Sequence, residues 1–359
     1  MLLMTPGPTR VPERVLRAGA RPMVHHRTAE FSAELAVMIE LLRPLFGTRE
    51  PVLPVHATGR GAMEATLCNL FSPGDAIGVC CNGRFGELWA KLAQAHGLSV
   101  HRIATDWDRD VDPADVEKLL SKHPAVRGLA MTYGDTSTGV ANDVAGVARV
   151  TRARDVLLLV DGVSSIGGMP FAFDEWGVDA AVTASQKCLM SSPGISFVVM
   201  NGRARSAGER ARLPRAYWDF AAIHREVTKS KPETPGTPPV HCVLQVAEAL
   251  RMIHEEGVEA VFLRHAEMAE MTRRGISALG LEPQCPSLRR RSTTLTAVAL
   301  PPDHPPAQVR AGLKARGILT AAALEHYQPG AFRIGHMGDI RPADVTRTLE
   351  ALTAVLAES

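Results

Sequence analysis

Short apolar runs alternate with amphipathic segments through the first part of the chain. Residues 76–80, 128–132 and 156–160 are apolar runs of strand length, whereas residues 61–70 and 87–96 carry apolar side chains at helical spacing. Continuous apolar runs are typical of strands that are buried on both faces. Their alternation with helices predicts an α/β fold in which helices cover both faces of a mainly parallel sheet.

The pattern changes near residue 250. Residues 246–255 predict a long amphipathic helix, and the remainder predicts a smaller α+β unit. The predicted strands of this unit are residues 294–300 and 332–334, and its predicted helices are residues 306–316 and 342–356.

At 359 residues the chain is longer than one ordinary hydrophobic core. We expect an N-terminal arm over residues 1–20, a large domain over residues 21–250 and a small C-terminal domain over residues 251–359. Residues 229–239 are rich in proline, cannot be helical and form either a linker or a functional loop.

The composition narrows the class of protein. Hydrophobic residues make up 45% of the chain and charged residues 22%, as in a globular protein. A net charge of +2 and an aromatic content of 5% argue against a nucleic-acid-binding protein. We see no membrane span, signal peptide or sorting signal. The six cysteines lack C-x-x-C spacing, so we expect reduced thiols, no metal site and a cytoplasmic location.

A charged residue follows each of two neighbouring apolar runs. Asp161 ends the run at residues 157–161, and Lys187 comes shortly after the run at residues 179–183. Open α/β sheets bind ligands at the carboxyl ends of their strands. A lysine that holds pyridoxal phosphate (PLP) as a Schiff base needs a carboxylate at the pyridine nitrogen, and this pair could supply both groups. The alternative is a surface lysine and an aspartate that caps the next helix.

Further motifs accompany this pair along the chain. They are TPGPT from residue 5, HRTAEF from residue 26, GRGAMEA from residue 59, NGRFG from residue 82, TSTGV from residue 136, LVDGVSSIGG from residue 159, SQKCL from residue 185, TPPV from residue 237 and FRIGHMG from residue 332. In this order they resemble the class V (fold type I) aminotransferases, in particular the alanine–glyoxylate and serine–glyoxylate enzymes. The resemblance implies a fold type I PLP-dependent transferase with a seven-stranded sheet in the large domain, a small C-terminal α+β domain and a homodimer.

The resemblance also implies a role for three charged residues. Lys187 is expected to bind PLP covalently and then to move a proton on the substrate. Asp161 is expected to keep the pyridine nitrogen protonated, so that the ring withdraws electrons. Arg333 is expected to hold the substrate α-carboxylate, for which the guanidinium fork is suited.

The remaining expected contacts are with the ring and the phosphate of PLP. Phe85 is expected to stack on the ring, Val163 to pack against it and Thr136 to lie near its phenolic oxygen. A helix N-terminus offers N–H groups to a phosphate. The expected phosphate contacts are Thr58, Gly59, Arg60, Gln186 and, from the partner subunit, Thr237. Thr234 is a further expected contact, at a position where relatives often have a tyrosine.

The implied activity is transfer of an amino group from serine or alanine to a 2-oxo acid such as glyoxylate, through a Schiff base at Lys187. Alternatives stay open. Phosphonate aminotransferases, of the 2-aminoethylphosphonate type, often carry asparagine where this chain has Gln186. Cysteine desulfurases typically have histidine there and need a mobile cysteine, for which Cys285 is the candidate in the small domain. A catalytically silent scaffold is the third alternative, and the joint presence of Asp161, Lys187 and Arg333 argues against it.

Overall fold

Strands and helices alternate along most of the chain. The structure, a computed structural model, describes residues 1–287, 290–327 and 329–358. The strands are β1 (Leu2–Leu3), β2 (Val52–Val55), β3 (Ala76–Cys81), β4 (Ser99–Ala104), β5 (Val126–Thr132), β6 (Leu157–Asp161), β7 (Ala180–Ala184), β8 (Ser196–Met200), β9 (Glu282–Pro283), β10 (Leu295–Ala299), β11 (Ile318–Leu319), β12 (Ala321–Ala322) and β13 (Ala331–Gly335). The helices are α1 (Glu13–Gly19), α2 (Ala29–Phe46), α3 (Gly59–Leu70), α4 (Arg84–Ala95), α5 (Pro113–Lys122), α6 (Val144–Ala153), α7 (Phe173–Trp176), α8 (Gly202–Arg210), α9 (Phe220–Val227), α10 (Val240–Glu256), α11 (Val258–Ala278), α12 (Pro306–Ala315) and α13 (Pro342–Glu358).

A seven-stranded sheet forms the centre of the larger part of the molecule. Its spatial order is β2-β8-β7-β6-β5-β3-β4. The strands from β7 to β4 run parallel, whereas β8 pairs antiparallel with both β7 and β2. The mainly parallel seven-stranded sheet that the sequence predicts is therefore confirmed. Because β5, β6 and β7 are parallel neighbours, the residues that follow them meet at one edge of the sheet.

Several helices begin earlier than the sequence pattern predicts. The structure starts α3 at Gly59, α4 at Arg84 and α10 at Val240, against predicted starts at residues 61, 87 and 246. The first turns of α3 and α4 contain glycines, which weaken the apolar periodicity on which the prediction depends. Two prolines directly precede α10, where they fix the entry of the chain and obscure the helix start in the sequence.

A four-stranded antiparallel sheet of order β12-β13-β10-β9 lies in the C-terminal part of the chain. It has its own hydrophobic core, which includes Met268, Val298, Phe332 and Leu352. The predicted boundary at residue 250 falls within α10, which packs against α1 and α2. The division of the chain into domains stays a prediction.

The first residues of the chain form an extended segment, which we call the N-terminal strap (residues 2–9). Strand β1 pairs in parallel with β11, and the Gly335 N–H donates to the Met4 carbonyl at 2.8 Å. At its other end, the Thr9 N–H donates to the Gln186 carbonyl at 3.1 Å and Thr9 Oγ1 to the Lys187 carbonyl at 2.9 Å. The strap therefore connects the small sheet with the turn that follows β7.

Among the residues that the structure describes, no helix combines the length and the apolarity that crossing a bilayer requires.

Candidate active site

Lys187 lies in the turn after β7, beneath the N-terminal strap. Its Nζ donates a hydrogen bond to the Pro6 carbonyl. A Cβ atom on Gly7 would lie 2.5–2.7 Å from Cδ, Cε and Nζ of Lys187, and the φ of Gly7 is +117°, so only glycine fits there. Burial lowers the pKa of Lys187 to about 8, and the positive charge of Arg333 acts in the same direction. More of this lysine is therefore in the neutral, nucleophilic form near neutral pH.

Asp161 ends β6, the strand beside β7, and only 3% of its surface is exposed. The Val163 N–H donates to its Oδ1 at 2.8 Å. Burial raises the pKa of Asp161 to about 7, against the lowering effect of that hydrogen bond, and the nearby Asp135 raises it further. A cationic N–H group placed against this carboxylate would be held strongly, because it would supply the missing charge partner.

Asp135 is a buried carboxylate that the sequence analysis missed. It has no exposed surface and accepts hydrogen bonds from the Phe85 N–H at 3.0 Å and the Ser137 N–H at 2.8 Å. A Cβ on Gly83 would lie 2.3 Å from Asp135 Oδ2, so this carboxylate determines how the chain enters α4. Asp135 thereby positions the half-buried Phe85. The available signal was its place shortly after β5, as Asp161 ends β6.

Arg333 is a buried guanidinium, 8% exposed, on strand β13. Its Nε donates to the Ala322 carbonyl at 2.8 Å and its Nη1 to the Thr136 carbonyl at 2.6 Å. Within the described ranges no carboxylate forms an ion pair with Arg333. Burial lowers its pKa to about 10, which leaves it charged at neutral pH. An unpaired buried guanidinium with N–H groups to spare suits an incoming carboxylate.

The start of α3 lies beside the residues that follow β6. A Cβ on Gly59 would lie 2.5 Å from Val163 Cγ2, so the helix approaches Val163 as closely as glycine allows. Thr58 is the N-cap residue and makes no side-chain capping bond, and the first hydrogen bond of the helix runs from Ala62 N–H to the Thr58 carbonyl. The preceding N–H groups are available to an anion. Arg60 is exposed at this point.

The other predicted phosphate contacts differ in their surroundings. Gln186 Oε1 is buried and has no hydrogen-bond partner, so a donor could satisfy it. Thr234 is 1% exposed and its hydroxyl donates to the Gly236 carbonyl at 2.7 Å, within its own loop. Thr237 is exposed. The hydrogen bonds of the described residues connect neither threonine to Lys187 or to α3 of the same subunit.

These groups fit PLP. The site combines an amine of lowered pKa, a buried carboxylate without a cationic partner, a half-buried aromatic ring and a helix start with available N–H groups. The orphaned oxygen of Gln186 adds a polar group that a ligand could satisfy. The predicted residues that the structure brings together are Thr58, Gly59, Phe85, Thr136, Asp161, Val163, Gln186, Lys187 and Arg333.

Comparison with known proteins gives one family. Residues 2–341 match the model of the class-V aminotransferases. A protein of Synechococcus sp. described as the small subunit of a soluble hydrogenase is 37% identical, over 99% of this chain and 93% of that protein. The L-aspartate–glyoxylate aminotransferase of Paracoccus denitrificans is 33% identical, over 99% and 91%. The crystal structure of the alanine–glyoxylate aminotransferase of Nostoc sp. has a TM-score of 0.94 at 32% identity, covering 99% of this chain and 95% of that chain. The chain belongs to the class-V aminotransferase family.

Proposed function

We propose that this protein is a PLP-dependent aminotransferase that moves an amino group from a small L-amino acid, serine or alanine, to glyoxylate. The observation that carries the proposal is the pair at the ends of adjacent strands, the half-buried Lys187 with a lowered pKa and the buried Asp161 with a raised one. Relatives of similar identity are named for different donors, aspartate and alanine, but for the same acceptor, glyoxylate. The shared acceptor supports glyoxylate more strongly than any single donor.

Bound PLP would withdraw electrons from the substrate Cα once it is joined to the amino group. Lys187 would hold PLP through its amine, and its Nζ would take up and return the proton of the substrate Cα. Asp161 would keep the pyridine nitrogen protonated, and Phe85 would supply an aromatic face to the ring. Arg333 orients substrate through the carboxylate that amino acids and 2-oxo acids share. The strap at Pro6 and Gly7 packs over the half-buried Lys187 and limits the access of water to it.

The half-reactions test this function directly. Purified holoenzyme is mixed in turn with L-serine, L-alanine and other amino acids, and the absorption of the cofactor is followed without an acceptor. Glyoxylate should then restore the original spectrum. A cofactor spectrum that no amino acid changes would contradict the proposed function.

The geometry does not favour a cysteine desulfurase. Such an enzyme needs a mobile thiolate, but Cys285 is 2% exposed and its thiol contacts the carbonyls of Ser287 and Arg290. Burial raises the pKa of Cys285, which disfavours the thiolate. No observation favours the phosphonate aminotransferase over the proposed function.

Replacement of Arg333 by lysine should weaken the binding of both substrates. Lysine keeps the charge but loses the planar fork that matches a carboxylate. Loss of one charge-assisted hydrogen bond costs about 1.5–3 kcal/mol, so we expect apparent affinities for amino acid and glyoxylate to fall together by roughly ten- to hundredfold. Steady-state kinetics with each substrate measures this, and the cofactor spectrum should stay as in the wild type. Arg17→Lys on the exposed helix α1 is the matched control. A loss confined to one substrate would show that Arg333 is not the shared carboxylate site.

We also propose a cytoplasmic homodimer in which Thr237 of one subunit contacts the phosphate bound to the other. Thr237 and its neighbours Pro235 and Gly236 are exposed, as is Tyr217 at 72%. All six cysteines are free, which agrees with a reducing compartment.

Light scattering should give twice the subunit mass of 38.6 kDa. Thr237→Val should weaken PLP binding by roughly ten- to hundredfold, the effect of one hydrogen bond to a charged group, without dissociating the dimer. Equilibrium dialysis of PLP against apoprotein measures this, with Thr353→Val, at an exposed position of α13, as the control. A monomer that binds PLP as tightly as the wild type would refute the shared site.

A further inference from the structure

Arg84 is the first residue of α4 and carries a donor that nothing satisfies. Its Nε lies 3.0 Å from Glu325 Oε1, but its Nη1 is buried without a hydrogen-bond partner among the described residues. A buried donor on a charged group that lacks an acceptor is costly and rare in native proteins. An additional carboxylate at this guanidinium would satisfy it, because two N–H groups of the fork can donate to two carboxylate oxygens in parallel.

The backbone of Arg84 is attached to the loop that also holds Arg333. The Arg84 N–H donates to Ser137 Oγ at 3.0 Å, and the Thr136 carbonyl, one residue earlier in that loop, accepts from Arg333 Nη1. On the other side, Arg333 Nε donates to the Ala322 carbonyl, and Glu325 follows three residues later in the same segment. The two arginines are therefore attached to the same two segments of the chain, the loop at residues 136–137 and the segment at residues 322–325.

Glu325 is a carboxylate that a substrate can replace. The side chains of Arg84 and Glu325 are 33% and 49% exposed, and ion pairs with this exposure contribute little to stability. Glu325 has a φ of +52°, a conformation that a residue with a side chain adopts at a cost. A substrate carboxylate would therefore displace Glu325 from Arg84 at little cost in free energy.

We propose that Arg84 binds the side-chain carboxylate of a dicarboxylic substrate, so that the enzyme also accepts an amino acid of the aspartate class as donor. This inference rests on the proposed function and adds this donor class to serine and alanine. The α-carboxylate occupies Arg333, the second carboxylate occupies Arg84, and Glu325 is displaced. Arg84 thus determines specificity and takes no part in the proton transfer.

Binding of unreactive acids tests this on the holoenzyme. Succinate and propionate differ by one carboxylate, and neither has an amino group. Calorimetry should give at least tenfold tighter binding of succinate than of propionate to the wild type. Arg84→Met should remove that preference and leave propionate unchanged. Arg102→Met is the matched control, because Arg102 forms a similarly exposed ion pair with Glu87 of α4. It should leave both affinities unchanged.

Two further measurements complete the test. Glu325→Gln removes the competing charge and should tighten succinate binding several-fold. In the half-reaction, Arg84→Met should slow L-aspartate at least tenfold more than L-alanine. The inference would be overturned if Arg84→Met lost affinity equally for succinate and propionate, or if it reacted equally more slowly with L-aspartate and L-alanine. It would also be overturned if Glu325→Gln bound succinate more weakly than the wild type. If no amino acid changed the cofactor spectrum of the wild type, the proposed function itself would fail, and succinate binding would still report on Arg84.

Discussion

Lys187→Ala should abolish transamination and covalent attachment of PLP. The substitution removes both the amine that bonds to the cofactor and the group that moves the substrate proton. A positioned acid–base group alone contributes about 10²–10⁴-fold to a rate, so we expect activity to fall by at least that factor. Single-turnover kinetics measures the loss, and borohydride reduction followed by mass spectrometry measures covalent attachment.

Lys91→Ala provides the matched control, since Lys91 is exposed on α4. This variant should retain wild-type activity and covalent attachment. The melting temperature of the Lys187→Ala protein should show that it is folded, because the substitution removes a buried amine whose pKa burial already lowers. Normal turnover by the Lys187→Ala variant would contradict the proposed mechanism as a whole.

Asp161→Asn should reduce activity and stabilise the cofactor-free protein. An amide cannot hold the proton of the pyridine nitrogen, and the loss of one preorganised electrostatic contact lowers rates by about 10²–10³-fold. The stability effect follows from the pKa of Asp161, which rises from 3.8 to about 7 on folding. The folded apoprotein therefore loses stability relative to the unfolded chain as the pH rises from about 4 to 7, by about 4 kcal/mol in total.

The asparagine variant has no such loss, because its side chain does not ionise and can still accept from the Val163 N–H. Unfolding of the two apoproteins at pH 8 should show Asp161→Asn to be more stable, and the difference should shrink as the pH falls towards 4. Asp174→Asn serves as a control for a carboxylate near the surface, where Thr48 and Arg49 bind it. An asparagine variant that is less stable than wild type at pH 8 would contradict the interpretation of Asp161 as a buried carboxylate without a cationic ion-pair partner among the described residues.

The sequence pattern predicts strands β3, β5, β6 and β7 of the large sheet, but it misses the interior strand β8 and both edges. Strand β6 is buried at every position, so it is apolar throughout and stands out in the pattern. The edge strands β2 and β4 do not stand out in this way. Strand β2 is four residues long and contains Pro54, and β4 is largely exposed with polar residues such as His101 and Arg102. Polar residues and proline are typical of edge strands, and they remove the signal by which a strand is recognised.

The same distinction applies to the site. Lys187 and Asp161 could be predicted because each follows an apolar run, and the ends of parallel strands meet at one edge. The contact of Pro6 and Gly7 with Lys187 could not, because it joins residues far apart in the chain and leaves no local periodicity. Asp135 was passed over for a related reason. Asp135 is important because it accepts hydrogen bonds from two backbone N–H groups, and sequence spacing does not show such bonds.

The N-terminal strap has a consequence for how the protein is made. Its residues leave the ribosome first, but Leu2 pairs with Ile318 and Met4 accepts from Gly335, which are translated about 300 residues later. At 5–20 residues per second this delay is about 15–60 s, during which the large sheet can fold without the strap. Lys187 then stays uncovered on the nascent chain until β11 and β13 have been synthesised. Completion of the active site therefore follows the synthesis of β11 and β13, and cofactor loading can precede it.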